Sequence, residues 1–152
     1  MKILNTTLAL LIIPSLAFAQ PYSVHDGDTV RDIKTGERIR LARIDAPELK
    51  QTCEDGYDGG IQARDWLAAY ADTMVCKTNG KDRYKRSLGE CYWGNINLNE
   101  LQVLEGYAFS YKGQTQEQED MARKQDIGVH KYRCQQPGDY RKQHKIGKEL
   151  TK

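Results

Sequence analysis

The segment 25–48, HDGDTVRDIKTGERIRLARIDAPE, constrains the fold of this chain more than any other stretch. It indicates two β-strands, over 22–33 with a break at Asp-Gly and over 38–45, joined by Lys-Thr-Gly-Glu, a sequence typical of a hairpin turn. The second strand ends at Ala-Pro, because proline cannot donate a hydrogen bond to a neighbouring strand. The segment therefore predicts a β-hairpin that also carries a dense set of acidic and basic side chains.

The acidic residues of this hairpin have the spacing of a cation site. Asp26 and Asp28 are two positions apart, so in an extended backbone their carboxylates point to the same side, and Gly27 between them would let a ligand approach the main chain. Asp45 is the candidate third carboxylate, although an Asp-Gly-Asp sequence by itself is more often a turn. The aspartates of the loop at 51–60 match no EF-hand spacing and indicate a plain surface connection rather than a calcium loop.

The basic residues form two local clusters, which matters because the whole chain has a formal net charge of only +2. Any attraction for a polyanion must therefore come from local charge. Arg40 lies in the hairpin, and Arg86 closes the second cluster, KDRYKR at 81–86. Such a run is commonly a solvated turn, but arginines beside carboxylates also suit phosphodiester hydrolysis. There, arginines neutralise growing charge, a cation polarises the phosphoryl oxygen, and a carboxylate such as Glu48 takes a proton from water.

Arg40 and Asp45 can share that site only if the strand between them is interrupted. They are an odd number of positions apart, so an unbroken strand would send their side chains to opposite faces of the sheet. We therefore predict a bend or a β-bulge before Pro47.

The remainder of the chain predicts short strands and three helices. A helical spacing of apolar residues spans 61–74, and capping signals at Asn97 and Thr115 predict two further helices that end near Gly106 and Gly128. About five strands with three helices predict an α+β, mainly β fold, a small closed barrel of the OB type in one domain. Besides the hairpin, the predicted strands are 74–77, 88–93 and 107–112.

Both ends of the chain differ in composition from its middle. Residues 1–19 have a basic start, an apolar run and a final Ala-Phe-Ala, the layout of a secretory signal, and the apolar run is shorter than the ~20 residues that a membrane-spanning helix needs. We therefore expect a secreted or periplasmic monomer, free of the membrane after signal removal, with one folded domain over 20–134. Residues 135–152 are rich in lysine and arginine, show no helical or strand period and predict a flexible basic tail.

The four cysteines fit two disulfides in an oxidising compartment, and the sequence alone leaves three possible pairings. We favour Cys76 with Cys91, because these residues lie on consecutive predicted strands, which leaves Cys53 with Cys134. A zinc site is the competing interpretation, since His130 and Cys134 have ligand-like spacing. It lacks the paired Cys-x2-4-Cys half that characterises such sites, and we rank it second.

Four blocks of this sequence resemble the staphylococcal nuclease (thermonuclease) family. They occur in family order, and the resemblance extends over most of the mature chain, from about residue 24 to residue 128. Each block alone is weak, whereas the ordered set is specific. The blocks are DGDTV at 26–30, RLARIDAPE at 40–48, DRYKR at 82–86 and GYA at 106–108 followed by Tyr111.

The resemblance implies a five-stranded OB-fold barrel with three helices. It also implies a nuclease that depends on one calcium ion, cuts DNA and RNA with little sequence specificity, and leaves 5′-hydroxyl and 3′-phosphate ends. Two positions depart from the family pattern: Ala46 replaces a threonine of the best-known member, and Lys85 stands where glycine is usual, which could alter how Arg86 is presented. The four cysteines are also absent from that member.

Carried over by position, the resemblance implies a role for ten residues. Two arginines bind phosphate, a glutamate serves as general base, aspartates hold the ion, and tyrosines line the nucleotide pocket. The implied catalytic residues are Arg40, Glu48 and Arg86; the calcium ligands are Asp28, Asp45 and the main-chain carbonyl of Ala46, with Asp26 in the outer shell; and the nucleotide-binding residues are Tyr84, Tyr111 and Arg83.

Three functions are compatible with this chain: an active secreted nuclease, a nucleic-acid-binding OB module without catalysis, and an interaction domain that uses only the barrel. A binding module needs the basic residues but not the carboxylates, which repel phosphate unless a cation is present. The joint presence of Asp28, Asp45 and Glu48 with the arginines therefore favours the nuclease.

Overall fold

The computed structural model of the protein describes residues 21–150, with side chains described to residue 145. The predicted signal segment, residues 1–19, lies outside this range. The described chain forms β-strands and α-helices, with short 3-10 turns at Glu54–Gly56 and Tyr111–Gly113. The strands are β1 (Tyr22–Asp26), β2 (Thr29–Asp32), β3 (Arg38–Leu41), β4 (Ile44–Asp45), β5 (Val75–Lys81), β6 (Ser87–Trp93), β7 (Ile96–Asn97) and β8 (Phe109–Ser110). The α-helices are α1 (Gly59–Ala68), α2 (Leu98–Leu104), α3 (Gln116–Lys124), α4 (Gly128–Lys131) and α5 (Pro137–Leu150).

The strands of the described chain form one mixed six-stranded sheet and one two-stranded sheet. β1, β2 and β3 are an antiparallel meander, β3 then pairs in parallel with β6, and β5 and β7 pair with β6 in antiparallel orientation. In the small sheet β4 pairs with β8. The longer strands, in the order β1-β2-β3-β6-β5, form the partly open Greek-key barrel of the OB fold, which confirms the predicted mainly-β α+β class.

The elements differ from the prediction in number and length. β4, β7 and β8 have two residues each, too short to produce a period in the sequence. Helix α1 ends at Ala68 and not at residue 74, because the backbone bonds then shift to the i−3 pattern: the N–H of Tyr70 donates to the carbonyl of Leu67 at 3.1 Å. Ala71 and Met74 remain buried, so the apolar spacing continues beyond the helix that it predicts.

The two predicted helix caps have different outcomes. Asn97 accepts hydrogen bonds from the main-chain N–H groups of Asn99 at 3.0 Å and Glu100 at 3.4 Å, which confirms the cap of α2. Thr115 makes no side-chain cap hydrogen bond to α3, and its hydroxyl donates to the carbonyl of Arg43 at 3.3 Å. Thr115 therefore stands at the predicted start of α3, but the predicted side-chain cap is wrong, because a tertiary partner takes the hydroxyl.

The hydrophobic core lies inside the barrel, and Gly27 lets the hairpin approach α1. A Cβ at Gly27 would lie 2.6 Å from the Cβ of Ala63 on α1 and 2.7 Å from the Cβ of Ala46. The carbonyl of Gly27 also accepts a hydrogen bond from buried Gln102 at 2.6 Å. Gly27 thus serves close packing and not the approach of a ligand, which corrects the sequence interpretation. The largest core side chains include Val30, Leu41, Ile44, Leu67, Met74, Leu98 and Val103.

Two disulfides join separate parts of the chain. Cys76 on β5 pairs with Cys91 on β6, and Cys53 pairs with Cys134 over a sequence separation of 81 residues. This is the pairing favoured from the sequence. Because Cys134 is bonded to Cys53, the zinc interpretation that joined it to His130 is wrong. No α-helix within residues 21–150 has the length and apolar character that crossing a bilayer requires.

The C-terminal segment is helical, contrary to the prediction of a tail without regular structure. α5 begins at Pro137, whose fixed φ suits a first helical turn, and the N–H of Tyr140 donates to the carbonyl of Gln136 at 3.0 Å. Residues 138–145 of α5 are mostly polar and exposed, so this part of the sequence resembles a solvated segment. The helix nevertheless docks: the hydroxyl of Tyr140 donates to the carbonyl of Lys50 at 3.0 Å.

Candidate active site

A cavity of about 800 Å³ collects almost all of the predicted site residues. Nine of the ten line it, although they come from the segments 26–28, 40–48 and 82–86 and from Tyr111. The tenth, Asp45, is only 6% exposed and bonds to a residue that lines the cavity. The fold therefore brings together groups that are far apart in sequence.

The bend between β3 and β4 brings Arg40 and Asp45 together. β3 ends at Leu41, β4 begins at Ile44, and Arg43 between them has a φ of +70°. Arg40 spans the bend, since its Nη1 donates to the carbonyls of Leu41 at 2.8 Å and Ile44 at 3.0 Å. Its Nη2 lies 3.0 Å from Asp45 Oδ1. The bend predicted from the odd spacing is confirmed.

The carboxylates of Asp28 and Asp45 meet at one guanidinium nitrogen. Arg40 Nη2 lies 3.0 Å from Asp28 Oδ2 and 3.0 Å from Asp45 Oδ1. Asp28 also accepts hydrogen bonds from the hydroxyl of Thr29 at 3.0 Å and from the main-chain N–H of Ala46 at 3.3 Å. Both aspartates are thus buried, bonded and held in fixed orientations.

The chemistry of these groups fits a cation. Burial, opposed by Arg40 and reinforced by the charges of Asp26 and Asp45, raises the pKa of Asp28 to about 7. Additional positive charge would keep such a carboxyl group ionised. Carboxylate and carbonyl oxygens are also the ligands that calcium prefers. Within residues 21–145, however, no group of three or more Asp, Glu, His or Cys side chains is arranged to hold a metal ion. The positive charge beside Asp45 comes from the guanidinium groups of Arg40 and Arg141.

Glu48 lies on a loop that its neighbours hold in place. Its N–H donates to the side-chain carbonyl of buried Gln51 at 3.2 Å, and Gln51 Nε2 donates to the carbonyl of Gln135 at 2.6 Å. A Cβ at Gly60 would collide with the carbonyl of Glu48, so glycine lets α1 begin directly against this loop. The carboxylate of Glu48 lines the cavity, and its Oε1 accepts a hydrogen bond from Arg141 at 2.7 Å.

Arg86 is presented by a tight loop that Asp82 organises. The carboxylate of Asp82 accepts hydrogen bonds from the N–H of Tyr84 at 2.8 Å, the N–H of Arg86 at 3.0 Å and the Nε of Arg86 at 2.8 Å. Although burial opposes the charge, these bonds lower the pKa of Asp82. Lys85 has a φ of +63°, the region that glycine adopts most easily, so the loop keeps a glycine-like backbone despite the departure from the family pattern.

Two aromatic rings lie beside the arginines on the open side of the cavity. The ring of Tyr84 is 60% exposed, and the guanidinium groups of Arg83 and Arg86 lie 4.8 Å and 5.6 Å from its centroid. Arg40 lies 5.7 Å from the centroid of Tyr111. These are cation–π distances, and both tyrosines are exposed, Tyr84 at 60% and Tyr111 at 39%.

The lining residues that received no role from the sequence include Arg38, Gln114 and Arg141. Arg141 makes the closest contacts, with Nη2 2.9 Å from Asp45 Oδ2 and Nη1 2.7 Å from Glu48 Oε1. It reaches the site from α5, 93 positions after Glu48. One arginine in a basic segment has no distinguishing pattern, so no sequence signal could have identified it.

Known proteins resemble this chain in the same region. A family model described as "Staphylococcal nuclease homologue" matches residues 38–131. An "Uncharacterized endonuclease" of Haemophilus influenzae is 32% identical over 122 residues, which are 73% of this chain and 65% of that protein. The "Succinoglycan biosynthesis protein ExoI" of Rhizobium meliloti is 36% identical over 95 residues, 55% of this chain and 49% of that protein. The "Micrococcal nuclease" of Shigella flexneri is 34% identical over 124 residues, 68% of each chain.

This chain spans about half to two thirds of the length of the first curated relatives that it matches. The segment matched by the family model covers more than half of the chain and includes the bend at Arg40–Asp45, Glu48 and the loop of Arg86. The aspartates at 26–28 precede that segment but face the same cavity. By the extent of this match and by its OB barrel, the chain belongs to the staphylococcal nuclease family.

Proposed function

We propose that this protein is a nuclease that hydrolyses phosphodiester bonds of DNA and RNA with little sequence specificity. The observation that carries the proposal is the convergence of Arg40, Arg86 and Glu48 on one cavity, beside the paired carboxylates of Asp28 and Asp45. Relatives that bear the names endonuclease and micrococcal nuclease support the same class of reaction.

In the proposed reaction a water oxygen attacks phosphorus while Glu48 accepts the water proton. The bond from phosphorus to the 5′ oxygen breaks and that oxygen takes up a proton from solvent water, which leaves 5′-hydroxyl and 3′-phosphate ends. Glu48 then releases its proton to the solvent. Arg40 and Arg86 bind the phosphate and neutralise the charge that grows in the transition state. Because Asp28 and Asp82 already orient these two guanidinium groups, little further ordering is needed when substrate binds.

We assign one calcium ion to Asp28, Asp45 and the main-chain carbonyl of Ala46, with Asp26 in the outer shell. Such an ion, when bound, polarises a phosphoryl oxygen and offsets the negative charge of the carboxylates. The proximity of Asp28 and Asp45, which share one nitrogen of Arg40, supports the assignment, since calcium prefers carboxylate oxygens.

The nucleotide itself is assigned to Tyr84, Tyr111 and Arg83. The exposed tyrosine rings can stack on any base, because every base has a π-face, and this agrees with little sequence specificity. We further propose that the protein works as a monomer in the periplasm or outside the cell. Its two disulfides support an oxidising compartment.

A nucleic-acid-binding module without catalysis is the second candidate function. One observation favours it: Arg141 bonds to both Asp45 and Glu48, the groups that hydrolysis would need free. A module of this kind would retain single-stranded DNA in a salt-sensitive way and cut nothing.

A cleavage assay with purified protein separates these functions. Labelled DNA and RNA are incubated with calcium and then with a calcium chelator, and the new ends are identified by their susceptibility to a 5′-kinase and a 3′-phosphatase. We expect cutting of both polymers with calcium only, leaving 5′-hydroxyl and 3′-phosphate ends. Equal cutting in the chelator would contradict the assigned ion, and retention of DNA without any cutting would identify the binding module.

Glu48→Gln tests the general base. We expect turnover to fall by about 10²–10⁴-fold, because the amide cannot accept a proton, while the affinity for an uncleaved nucleotide stays largely unchanged. Glu117→Gln on the exposed surface of α3 is the matched control and should keep full activity. Nearly full activity of Glu48→Gln would remove the assigned role.

A further inference from the structure

Helix α5 is fastened to the loop that carries Glu48. The disulfide of Cys134 with Cys53 lies just before the helix, and Gln51 Nε2 donates to the carbonyl of Gln135 at 2.6 Å. The hydroxyl of Tyr140 donates to the carbonyl of Lys50 at 3.0 Å. These contacts place the first turn of α5 at the rim of the cavity, and the next side chain along the helix enters it.

That side chain is Arg141, and its planar guanidinium group bonds to two carboxylates. Its Nη2 lies 2.9 Å from Asp45 Oδ2, and its Nη1 lies 3.2 Å from Asp45 Oδ1 and 2.7 Å from Glu48 Oε1. Both oxygens of Asp45 therefore accept from Arg141, and Asp45 Oδ1 also accepts from Arg40 at 3.0 Å. A guanidinium group bound in this way offsets the negative charge of Asp45, as a metal cation would.

This arrangement conflicts with the roles proposed for the same carboxylates. A calcium ion needs oxygen atoms of Asp45 that are free to bind it. A general base needs a free lone pair, and Oε1 of Glu48 already accepts a hydrogen bond from Arg141. Arg141 and a divalent cation are thus alternative partners for one set of oxygens.

We infer that Arg141 is a built-in competitor of the divalent cation, which holds Asp45 and Glu48 until a cation displaces it. The inference rests on the proposed function and adds a regulatory contact to it. Withdrawal requires a replacement, because Arg141 is 42% exposed but its partner Asp45 is only 8% exposed, and a buried carboxylate left without a positive partner is destabilising. An incoming cation supplies that replacement. The disulfide at Cys134 keeps α5 nearby, so the guanidinium can return when the cation leaves.

Competition of this kind is reciprocal. If Arg141 lowers the affinity of the protein for a cation, then the cation must loosen the docking of Arg141 by the same factor. Both effects can be measured without any substrate, so the test does not depend on catalysis.

Calcium binding is measured by titration calorimetry on the full chain without nucleic acid. We expect Arg141→Gln to bind calcium about tenfold more tightly than the natural protein, within the usual range of coupling between two sites. Arg141→Lys keeps the positive charge but not the planar guanidinium group, and its calcium affinity should lie between those of Arg141→Gln and the natural protein. Lys142→Gln is the matched control: it removes one positive charge from the same helix, where Lys142 pairs with exposed Asp139 at 2.9 Å, and should leave the affinity within about twofold.

Hydrogen exchange of the α5 amides provides a second measurement. Calcium should speed exchange in the first turns of α5 several-fold in the natural protein, and should have no such effect in Arg141→Gln, where the anchor is already absent. Thermal unfolding establishes that each variant is folded; if Arg141→Gln is not, Arg141→Lys carries the comparison.

The outcomes are distinct. Equal calcium affinity of Arg141→Gln and the natural protein, or weaker affinity of the variant, would overturn the competition and leave the proposed nuclease untouched. If neither protein binds calcium and nucleic acid is still cut in chelator, the assigned ion is wrong and the competition falls with it. Tighter binding by Arg141→Gln and by Lys142→Gln alike would reduce the effect to net charge and also overturn the inference.

Discussion

The two arginines proposed to bind phosphate, Arg40 and Arg86, each have a carboxylate that orients them before any substrate arrives. Arg40 is held by Asp28 and Asp45, and Arg86 by Asp82, at distances of 2.8–3.0 Å. A guanidinium group fixed in this way loses little conformational freedom when it binds phosphate. Some carboxylates around the cavity therefore orient arginines, and others are candidates to bind the ion or to accept the proton of the attacking water.

Arg86→Ala tests the value of this positioning. We expect turnover to fall by about 10²–10³-fold, because a preorganised contact to the transition state is lost. Asp82→Asn should give a smaller fall, since Arg86 remains but is less firmly oriented. Initial rates on a labelled oligonucleotide measure both effects. The control is Arg64→Ala, a partly exposed arginine of α1 paired with Asp65, and a similar loss in that variant would show that Arg86 has no special role.

His130 should make stability depend on pH. Its ring packs edge-on against Phe109, and its buried Nε2 has no hydrogen-bond partner among the described residues. Burial, reinforced by the charge of Arg123, lowers the pKa of His130. The unfolded chain therefore binds a proton more readily, so the full stability is present above the ordinary pKa of about 6.5 and declines as pH falls below it.

The variant His130→Gln removes the group whose lowered pKa makes stability decline at acidic pH. The fall of the unfolding temperature between neutral and mildly acidic pH should be smaller in the variant than in the natural protein. His144→Gln, on the exposed surface of α5, is the control and should keep the natural profile. If the unfolding temperatures of the natural protein and of His130→Gln fall in parallel as pH is lowered, another group governs the loss of stability at acidic pH.

At the scale of elements, close approach of α1 to the hairpin depends on Gly27. Gly27→Ala would place a methyl group 2.6 Å from the Cβ of Ala63 and 2.7 Å from that of Ala46, so the helix or the loop after Asp45 must move. We expect a loss of about 1–3 kcal/mol of folding free energy, the usual cost of overpacking. Denaturant unfolding and cleavage rates should both detect it.

A double variant checks the cause. Ala63→Gly removes the methyl group that Gly27→Ala meets, so the double variant should be more stable than the sum of the two single changes predicts. Strict additivity of the two changes would mean that α1 and the hairpin do not touch at this point.

Elements specified by local signals were predicted well, and those specified by docking were not. The cap at Asn97 and the bend between Arg40 and Asp45 follow from neighbouring residues, and the structure has both. Helix α5 has few apolar residues, so its sequence resembles that of a solvated tail. Thr115 has the residue type of a cap, yet its hydroxyl bonds to Arg43 from another part of the fold.

For the whole molecule, the two disulfides differ in the length of chain that they close. Cys53–Cys134 spans 81 residues and Cys76–Cys91 spans 15, so in the chain-entropy model they contribute about 4.5 and about 3 kcal/mol. We predict that the paired serine replacement at Cys53 and Cys134 lowers the unfolding free energy more than the one at Cys76 and Cys91. Urea unfolding of both variants measures the difference, and the reverse order would show that local strain or packing outweighs loop length.

The sequence by itself determined the chemical content of this protein: which residue types could form the site, the strands and turns that carry them, and the family to which they belong. These features depend on residues within a few positions of one another, where spacing and turn chemistry decide the outcome. Only the tertiary structure decided that Arg141 bonds to Asp45 and Glu48 and that Gly27 serves packing. Such contacts join residues that many intervening positions separate, and no local pattern records which distant surfaces will meet.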